Sequence, residues 1–248
     1  MVSQVKGLAM AMNLEFELKE VKLSLPWSII PVGIIPIISQ TFKNIKDFNS
    51  SNLPKYIITC GRKSVFLSLF LKKIHKSNII NIHIQNPKSN FSSFDVIISP
   101  SHDNLKNPNV INTCLAINHI SKSLIDNEMI SFRHFFKDYS IPLCGVLVGG
   151  KSNNYLFNKK ETDKFISNLT KIKKNNNIKF FFLFSRRTDQ FIITQIKKTF
   201  SETDIIWSDE NLNPYIALLG YSKYIICTSD SVSMISEAIT SLKPVYIF

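Results

Sequence analysis

Residues Tyr224 to Phe248, YIICTSDSVSMISEAITSLKPVYIF, decide the fold class of this chain. An apolar run from Tyr224 to Cys227 is followed by the polar turn Thr-Ser-Asp-Ser, a helical segment and, after Pro244, a second apolar run. This order is typical of a β-α-β unit whose polar turn lies at the carboxyl end of the first strand. Open α/β sheets bind ligands at that end, so the turn is a candidate binding site.

The helical segment has an apolar face and a polar face. Its apolar residues recur at steps of three and four and predict a buried stripe, Val232, Ile235, Ile239 and Leu242. Its polar residues follow the same spacing on another face, Asp230, Ser233 and Glu237. N–H groups at the helix start attract a phosphate, and a carboxylate two turns further can accept hydrogen bonds from sugar hydroxyls. The alternative is that Ser229 or Ser231 only caps the helix and that Glu237 is solvated.

The string TSDSVSMISEA, Thr228 to Ala238, resembles the signature of the mitochondrial-fission (elongated-mitochondria) protein family, which is common in alphaproteobacteria and present in plants. Seven segments resemble that family in order along the chain: SQVKGLAMAM, CGRKS, IQNPK, FDVIISPSHD, GVLVGGKS, FSRRTD and NPYIALLGYSKYIICTSDS. More distantly, the polar turn, the helix with Ser-Glu-Ala and the following proline are similar to the donor-binding segment of GT-B glycosyltransferases. The resemblance implies an α/β fold with two Rossmann-like domains facing a cleft, the GT-B architecture.

The resemblance also implies that elements are missing. The family begins with a strand and a Gly-containing loop before the segment matching SQVKGLA, and it continues with further helices after KPVYIF. We therefore expect the chain to be truncated at both ends, without the first strand of its N-terminal domain and without the last part of its C-terminal domain.

The rest of the chain alternates between apolar runs and helical segments. The second half predicts strands at 143–148, 178–184, 204–207, 223–227 and 244–248, with helices near 158–173, 188–199, 213–220 and 231–242. The first half predicts helices at 3–12 and 64–73, and strands at 14–21, 55–60, 79–85, 95–99 and 110–112. A long amphipathic segment, His119 to Tyr139, ends before Ile141-Pro142. We expect an N-terminal acceptor-side domain at 1–139 and a C-terminal Rossmann-like donor-side domain at 140–248, with the boundary near Ser140.

The composition indicates a folded protein, and its positive charge has two explanations. The net charge of +12 comes from 30 Lys and Arg against 18 Asp and Glu, which suits a nucleotide or an anionic surface. Abundant Lys, Asn and Ile throughout the chain favour a compositional bias as the alternative. Basic residues do not alternate with aromatic ones in the manner of a nucleic-acid groove, so no nucleic-acid partner is expected.

Cysteines and histidines provide no metal pattern. The four cysteines are widely spaced, without CxxC or Cys/His ligand spacing, and the five histidines form no HExxH. Reduced thiols in a cytoplasmic protein without a metal are the expectation. The longest apolar stretch, Trp27 to Ile38, is too short to span a bilayer and contains two prolines. A buried connection and a peripheral contact with the inner membrane or a lipid acceptor are both open for this stretch.

Two further groups of residues are candidates for the donor site. Gly149 and Gly150 follow an apolar strand and precede Lys151, so their N–H groups can approach a diphosphate while the lysine adds charge. An ordinary strand-to-loop turn is the alternative. Arg186, Arg187 and Thr188 follow the next strand at the same edge, where arginines can bind a phosphate. The alternative for them is a solvated helix start with Thr188 as its N-cap.

His102 and Asp103 are the candidate catalytic pair for activating an acceptor hydroxyl. A turn-forming aspartate with an incidental histidine is the alternative, because adjacent residues do not form the usual oriented pair. The family has an acidic residue where Ser101 stands, and Asn86 and Lys88 replace its Asp and Arg. These departures weaken the transfer of acceptor chemistry to this chain.

Taken with the resemblance, the residues predict a nucleotide-sugar-binding, glycosyltransferase-like protein. Gly149, Gly150, Lys151, Arg186, Arg187 and Thr188, with Ser231 and Ser233, would hold the diphosphate, and Glu237 would hold the ribose or sugar. No cofactor and no metal are expected, because arginines and helix N-termini can stabilise a leaving diphosphate. The alternative is a non-catalytic adaptor that recruits division or envelope machinery, since fold does not settle function.

Overall fold

The computed structural model describes residues 1–30, 37–48, 54–75, 78–136, 140–151, 157–208 and 212–248. Within them the chain forms seven α-helices and nine strands, divided into two compact units, Met1–His119 and Ile120–Phe248. The central part of the apolar stretch predicted at Trp27 to Ile38 lies outside the described residues, as does the end of the segment predicted to run to Tyr139.

The first unit is built on a four-stranded parallel sheet. Its strands are β1 (Tyr56–Cys60), β2 (Ile80–Ile84), β3 (Val96–Pro100) and β4 (Val110–Thr113), paired in that order. Helix α2 (Arg62–His75) connects β1 to β2 and buries seven consecutive residues, from Val65 to Leu71. A parallel pair requires such a crossover, so this part of the α/β prediction is confirmed.

Helix α1 (Val2–Ala11) packs beside β1 through polar and small residues. The Gln4 side-chain oxygen accepts hydrogen bonds from the Cys60 thiol and the Gln85 amide, both at 2.9 Å. Gly7 approaches the Asn118 backbone so closely that an added Cβ would lie 2.2 Å from its carbonyl oxygen. Because real Cβ atoms do not reach that distance, the packing of α1 requires glycine at this position.

The strand predicted at 14–21 is wrong. These residues form no strand, and the nearest pairing is an isolated antiparallel bridge between Leu23 and Phe42. Phe16 and Leu18, two apolar residues of this segment, are 45% and 46% exposed. The residues of one segment do not supply the neighbouring strand whose backbone completes the hydrogen bonds.

The second unit contains a five-stranded parallel sheet. Its strands are β5 (Leu143–Val148), β6 (Lys179–Phe184), β7 (Ile205–Ile206), β8 (Tyr224–Cys227) and β9 (Val245–Ile247). Their order is β7-β6-β5-β8-β9. Strands β6 and β7 are thus added on one side of β5, and β8 and β9 on its other side. The order therefore reverses between β5 and β8, and in open α/β sheets ligands bind outside the carboxyl ends of the strands at this switch point.

Helices cover both faces of this sheet. Helices α4 (Lys159–Asn175) and α5 (Gln190–Phe200) pack on one face against alternate residues of β5 and β6, including Val146 and Phe182. Helices α6 (Tyr215–Tyr221) and α7 (Val232–Thr240) pack on the other face, around Leu147 and Phe181. All six residues of β5 are buried, as expected for a central strand of a parallel sheet.

The boundary between the units lies earlier than the predicted boundary near Ser140. Helix α3 (Lys122–Ser131) belongs to the second unit, where it packs against α6. The Tyr221 hydroxyl donates to the Met129 carbonyl at 2.7 Å, and the Phe136 ring stacks on Tyr221 and Phe181. In the described part of the segment predicted from His119 to Tyr139, α3 is thus followed by a turn that ends at Phe136, and the contacts of both place them in the second unit.

Candidate functional site

Three loops lie together at the carboxyl edge of the second unit's sheet. They follow β5, β6 and β8 and carry Gly149-Gly150, Ser185 to Thr188 and Thr228 to Ser231. The loops after β5 and β8 flank the switch point directly. The structure therefore brings the predicted donor-site residues of the three loops to one edge, because parallel strands end on the same side.

The glycine turn after β5 is tied to the loop after β8. The Gly149 N–H donates to the Thr228 hydroxyl at 2.7 Å, and the Gly150 N–H donates to the Asp230 carboxylate at 3.1 Å. An added Cβ would lie 1.8 Å from an Asp230 oxygen at Gly149 and 1.9 Å from the Arg187 carbonyl oxygen at Gly150. Both positions therefore require glycine for close approach, and the two N–H groups predicted to meet a diphosphate donate to side chains of the chain itself.

Asp230 is the centre of this arrangement. Its side chain has no solvent exposure, and its carboxylate accepts hydrogen bonds from the Gly150 N–H at 3.1 Å, the Thr228 hydroxyl at 2.6 Å and the Arg187 guanidinium at 3.2 Å. The three partners come from three different loops. Asp230 precedes α7 and turns toward the glycine loop, so the prediction that it lines a helix face with Ser233 and Glu237 is wrong.

The loop after β6 is also closed by internal hydrogen bonds. The Thr188 hydroxyl donates to the Val148 carbonyl at 2.8 Å. The N-cap of α5 is Asp189, whose side chain accepts from the Phe191 N–H at 2.8 Å, so the alternative with Thr188 as N-cap is wrong. An aspartate cap also suits the positive end of the helix dipole.

Three basic side chains remain at the surface of this edge. Lys151 and Arg186 are exposed, and the Arg187 side chain is 52% exposed although it pairs with Asp230. A guanidinium has five N–H donors, and the bond to Asp230 uses one of them. The edge therefore keeps cationic groups that can meet an anion.

The start of α7 is capped by its own sequence. Ser231 is the N-cap, and its hydroxyl accepts from the Met234 N–H at 3.3 Å. The capping alternative for Ser231 is confirmed, while the phosphate contact of Ser231 stays a prediction. Ser233 is half-buried in the first turn.

The predicted buried stripe of α7 is confirmed in part at Ile235, which packs against the core of the second unit, and is wrong at the other three positions. Val232, Ile239 and Leu242 are 39%, 37% and 91% exposed, whereas Ser236 and Ala238 are fully buried. The helix presents its small residues to the sheet, and Ser236 can be buried because its hydroxyl donates to the Val232 carbonyl at 2.7 Å.

Glu237 has a protein partner. The Tyr215 hydroxyl donates to Glu237 Oε2 at 3.0 Å, which joins α6 to α7. Burial, followed by the charge of Glu237 and its hydrogen bond, raises the pKa of Tyr215, so the hydroxyl stays protonated and remains a donor. The alternative that Glu237 is merely solvated is wrong, and its contact with a sugar stays a prediction.

The nearby thiol is inert. Burial and the negative charge of Asp230 raise the pKa of Cys227 to about 12. All four cysteines are free. Since the thiolate is the nucleophile and metal ligand, Cys227 is a packing residue of the sheet.

The predicted catalytic pair lies in the first unit. His102 Nε2 is 3.7 Å from Asp103 Oδ1, which is too long for a hydrogen bond, and the His102 side chain is 56% exposed. The other Asp103 oxygen accepts from the Ser99 hydroxyl at 2.5 Å in a short turn after β3. The geometry favours the alternative of a turn-forming aspartate with an adjacent, unoriented histidine.

The sequence placed Thr228 and Asp230 in a candidate binding turn after a buried strand but assigned neither of them a contact with the ligand, and it did not single out Tyr215. Tyr215 carried no such signal, because its partner Glu237 is distant in sequence.

The described residues show neither a metal-binding cluster nor a membrane-spanning helix. No group of three or more His, Cys, Asp or Glu side chains in the described ranges could hold a metal ion. No helix in the described part of the chain is long and apolar enough to cross a membrane.

Comparisons with known proteins agree with this architecture. Residues 1–248 match the family described as Mitochondrial fission ELM1. Protein RP120 of Rickettsia prowazekii (strain Madrid E) is 34% identical over 230 residues, covering 79% of this chain and 64% of that protein. The mitochondrial fission protein ELM1 of Arabidopsis thaliana is 25% identical over 244 residues, covering 87% of this chain and 54% of that protein. The chain thus spans less than two thirds of the length of these relatives.

A solved structure has the same fold. The UDP-GlcNAc 2-epimerase of Neisseria meningitidis, determined with UDP-GlcNAc bound, superposes with a TM-score of 0.53 at 14% identity, covering 98% of this chain and 71% of that chain. The chain therefore has the α/β fold with parallel sheets of the GT-B type found in UDP-sugar epimerases.

Proposed function

Because this chain belongs to the mitochondrial fission ELM1 family and has a GT-B-type fold, we propose that it binds a nucleoside-diphosphate sugar at the carboxyl edge of its second sheet. The observation that carries the proposal is the strand order. It places the glycine turn after β5 and the polar turn after β8 on the two sides of the switch point, where open α/β sheets bind nucleotides.

The charges at this edge support an anionic ligand. Lys151 and Arg186 are exposed, and Arg187 keeps half of its side chain in solvent. The N-terminus of α7 adds the positive end of a helix dipole beside them. A diphosphate placed there meets arginine donors, and its sugar can extend along α7 toward Glu237.

Two observations suggest the class of ligand, namely the basic edge of the sheet and the similar fold of the Neisseria enzyme. The Neisseria enzyme was solved with UDP-GlcNAc, so a uridine diphosphate sugar is the first ligand to test. We propose metal-independent glycosyl transfer as the reaction class, with arginines stabilising the leaving diphosphate. The proposed acceptor is an unspecified hydroxyl compound, with a membrane-associated one among the candidates.

Calorimetric titration of the folded protein with UDP-GlcNAc, UDP, GDP and ATP tests the proposal. We expect one diphosphate ligand to bind, with affinity falling as salt rises because arginine–phosphate contacts are screened. Arg186→Ala should weaken binding by about tenfold, the loss of one charge-assisted contact. Lys174→Ala is the matched control, since it removes the same charge from the exposed last turn of α4, away from the three loops.

The internal hydrogen bonds favour a second candidate. The N–H groups of Gly149 and Gly150 are already bound by Thr228 and Asp230, as suits a scaffold that acts without nucleotide. The Arabidopsis relative is named a mitochondrial fission protein, and we propose as the second candidate an adaptor that recruits division or envelope machinery. Flat titrations with all four nucleotides, at protein concentrations that detect weak binding, would favour the adaptor over the nucleotide-sugar protein.

A further inference from the structure

We propose that Asp230 is the positioning residue of the diphosphate site: its buried carboxylate holds Arg187 and the Gly149-Gly150 turn in the arrangement that binds the ligand. The inference rests on the proposed function and deepens it, because it names the group that orders the site. Asp230 itself does not contact the ligand in this scheme.

The first step is the direction of the Arg187 side chain. One terminal nitrogen of its guanidinium donates to Asp230 Oδ2 at 3.2 Å while 52% of the side chain stays exposed. The guanidinium is planar and its donors form a rigid fork, so holding one terminal nitrogen directs the other donors. Asp230 therefore presents the free side of Arg187 to solvent in one orientation.

The second step is the position of the glycine turn. The same carboxylate accepts from the Gly150 N–H at 3.1 Å and from the Thr228 hydroxyl at 2.6 Å, and Thr228 in turn accepts from the Gly149 N–H at 2.7 Å. The loops after β5 and β8 are thus joined across the switch point. Preorganisation of this kind reduces the ordering cost of ligand binding.

Asp204 is a second buried carboxylate of this unit, with the same kinds of hydrogen-bond partner as Asp230 but at the opposite edge of the sheet. Asp204 also has no side-chain exposure and accepts from a backbone N–H, that of Phe180 at 2.8 Å, and from the Thr203 hydroxyl at 2.7 Å. Its basic partner is Lys173. Asp204 precedes β7 and lies beside the first residues of β6, at the amino edge of the sheet. It is a matched structural control for Asp230.

This pair of carboxylates separates a positioning role from a purely structural one. Removing the charge of either residue leaves buried donors without their charged acceptor, so both Asp230→Asn and Asp204→Asn are expected to lower the melting temperature. Only Asp230 is joined to Arg187 and the glycine turn. Ligand affinity should therefore fall in one variant and not in the other.

The experiment compares UDP-GlcNAc affinity by calorimetry in the native chain and its variants. Asp230→Asn should weaken binding by at least about tenfold, whereas Asp204→Asn should stay within about twofold of the native value. In an Arg187→Ala background, Asp230→Asn should cause a smaller further loss than it causes alone, because part of its effect acts through Arg187. Thr228→Val keeps the Asp230 carboxylate but removes the hydroxyl that donates to its Oδ1, and it should cause an intermediate loss of affinity.

The outcomes are distinct. Equal losses in Asp230→Asn and Asp204→Asn, or fully additive effects of Asp230→Asn and Arg187→Ala, would overturn the positioning role while leaving nucleotide binding intact. If Asp230→Asn does not fold, an unchanged affinity in Thr228→Val overturns it instead. If the native chain binds no nucleotide, the proposed function fails and this inference fails with it. Tenfold loss in Asp230→Asn with non-additivity supports it.

Discussion

Acidification should destabilise the first unit through His83, a histidine in the interior of β2. Its side chain is fully buried, and its Nδ1 lies 2.8 Å from the Thr59 hydroxyl. Its Nε2 has no hydrogen-bond partner among the described residues. Burial without a compensating charge lowers the pKa of His83 from 6.5 to about 4, so the ring is neutral in the folded protein at ordinary pH.

The sign follows from which state binds the proton. Above the unfolded pKa of 6.5, His83 is neutral in both states and contributes no pH dependence. Between pH 6.5 and about pH 4, His83 is protonated in the unfolded chain but neutral in the folded protein, so the stability falls as the pH falls. Below about 4 both states are protonated and the slope from this residue disappears. At the linkage slope of about 1.36 kcal/mol per pH unit, the loss between pH 7 and pH 5 is about 2 kcal/mol.

Urea unfolding at the two pH values measures this loss. The chain has two tryptophans, and Trp27 packs against the core of the first unit, whereas Trp207 stacks on Phe181 in the second. In a Trp207→Phe background, the fluorescence of Trp27 therefore reports on the unit that contains His83. Other groups also titrate in this range, so the quantity of interest is the difference from a variant without the histidine.

His83→Asn is that variant, because its amide can still reach the Thr59 hydroxyl but does not titrate. Between pH 7 and pH 5, the free energy of unfolding of the His83→Asn variant should fall by about 2 kcal/mol less than that of the native protein. Parallel pH profiles for the two proteins would refute the reasoning. They would mean that the folded protein protonates His83 as readily as the unfolded chain does.

Three further predictions concern the stability of the second unit, measured by urea unfolding followed through tryptophan fluorescence. Gly150→Ala should lower the free energy of unfolding by about 1–3 kcal/mol, because the added Cβ meets a backbone carbonyl that cannot move freely. Gly220→Ala is the control and should lower it by less, because the added Cβ there meets first a flexible methionine side chain. Equal losses in the two variants would contradict the argument. Tyr215→Phe should cost about 1.5–3 kcal/mol through the lost hydrogen bond to Glu237, and a neutral effect would show that bond to be unimportant. Ser231→Ala should cost about 1 kcal/mol through the lost helix cap, and an unchanged midpoint would argue against capping.

The architecture of the second unit could be predicted from sequence because its signals are local. Strands β5 and β6 are continuous apolar runs, buried on both faces and bounded by polar turns, and they were predicted to within about one residue. Helix α4 begins after Asn158, a local capping residue whose side chain accepts from the Glu161 N–H at 3.0 Å. Each of these features is determined by residues that are neighbours in the chain.

The wrong predictions have a common physical cause in partners distant along the sequence. The sequence at 14–21 could not indicate whether another strand was available to pair with it. The apolar stripe of α7 could not indicate that the sheet accepts the small residues Ser236 and Ala238 instead. The amphipathic segment after His119 could not indicate which of the two sheets it would cover.

The candidate site combines features that neighbouring residues determine with contacts between residues that are distant in sequence. Its residue types are visible in the sequence, as glycines after β5, arginines after β6 and a capped helix after β8. What a residue type does not reveal is whether its donors are already used. The Gly150 N–H and the Arg187 guanidinium, both predicted as ligand donors, converge on Asp230 from loops that are distant in sequence. Under the proposed function, a diphosphate at this edge meets the prearranged guanidinium of Arg187, whereas the Gly149 and Gly150 N–H groups are already used. For that reason the effect of Asp230→Asn on affinity is a sharper test of the site than the effect of any single glycine.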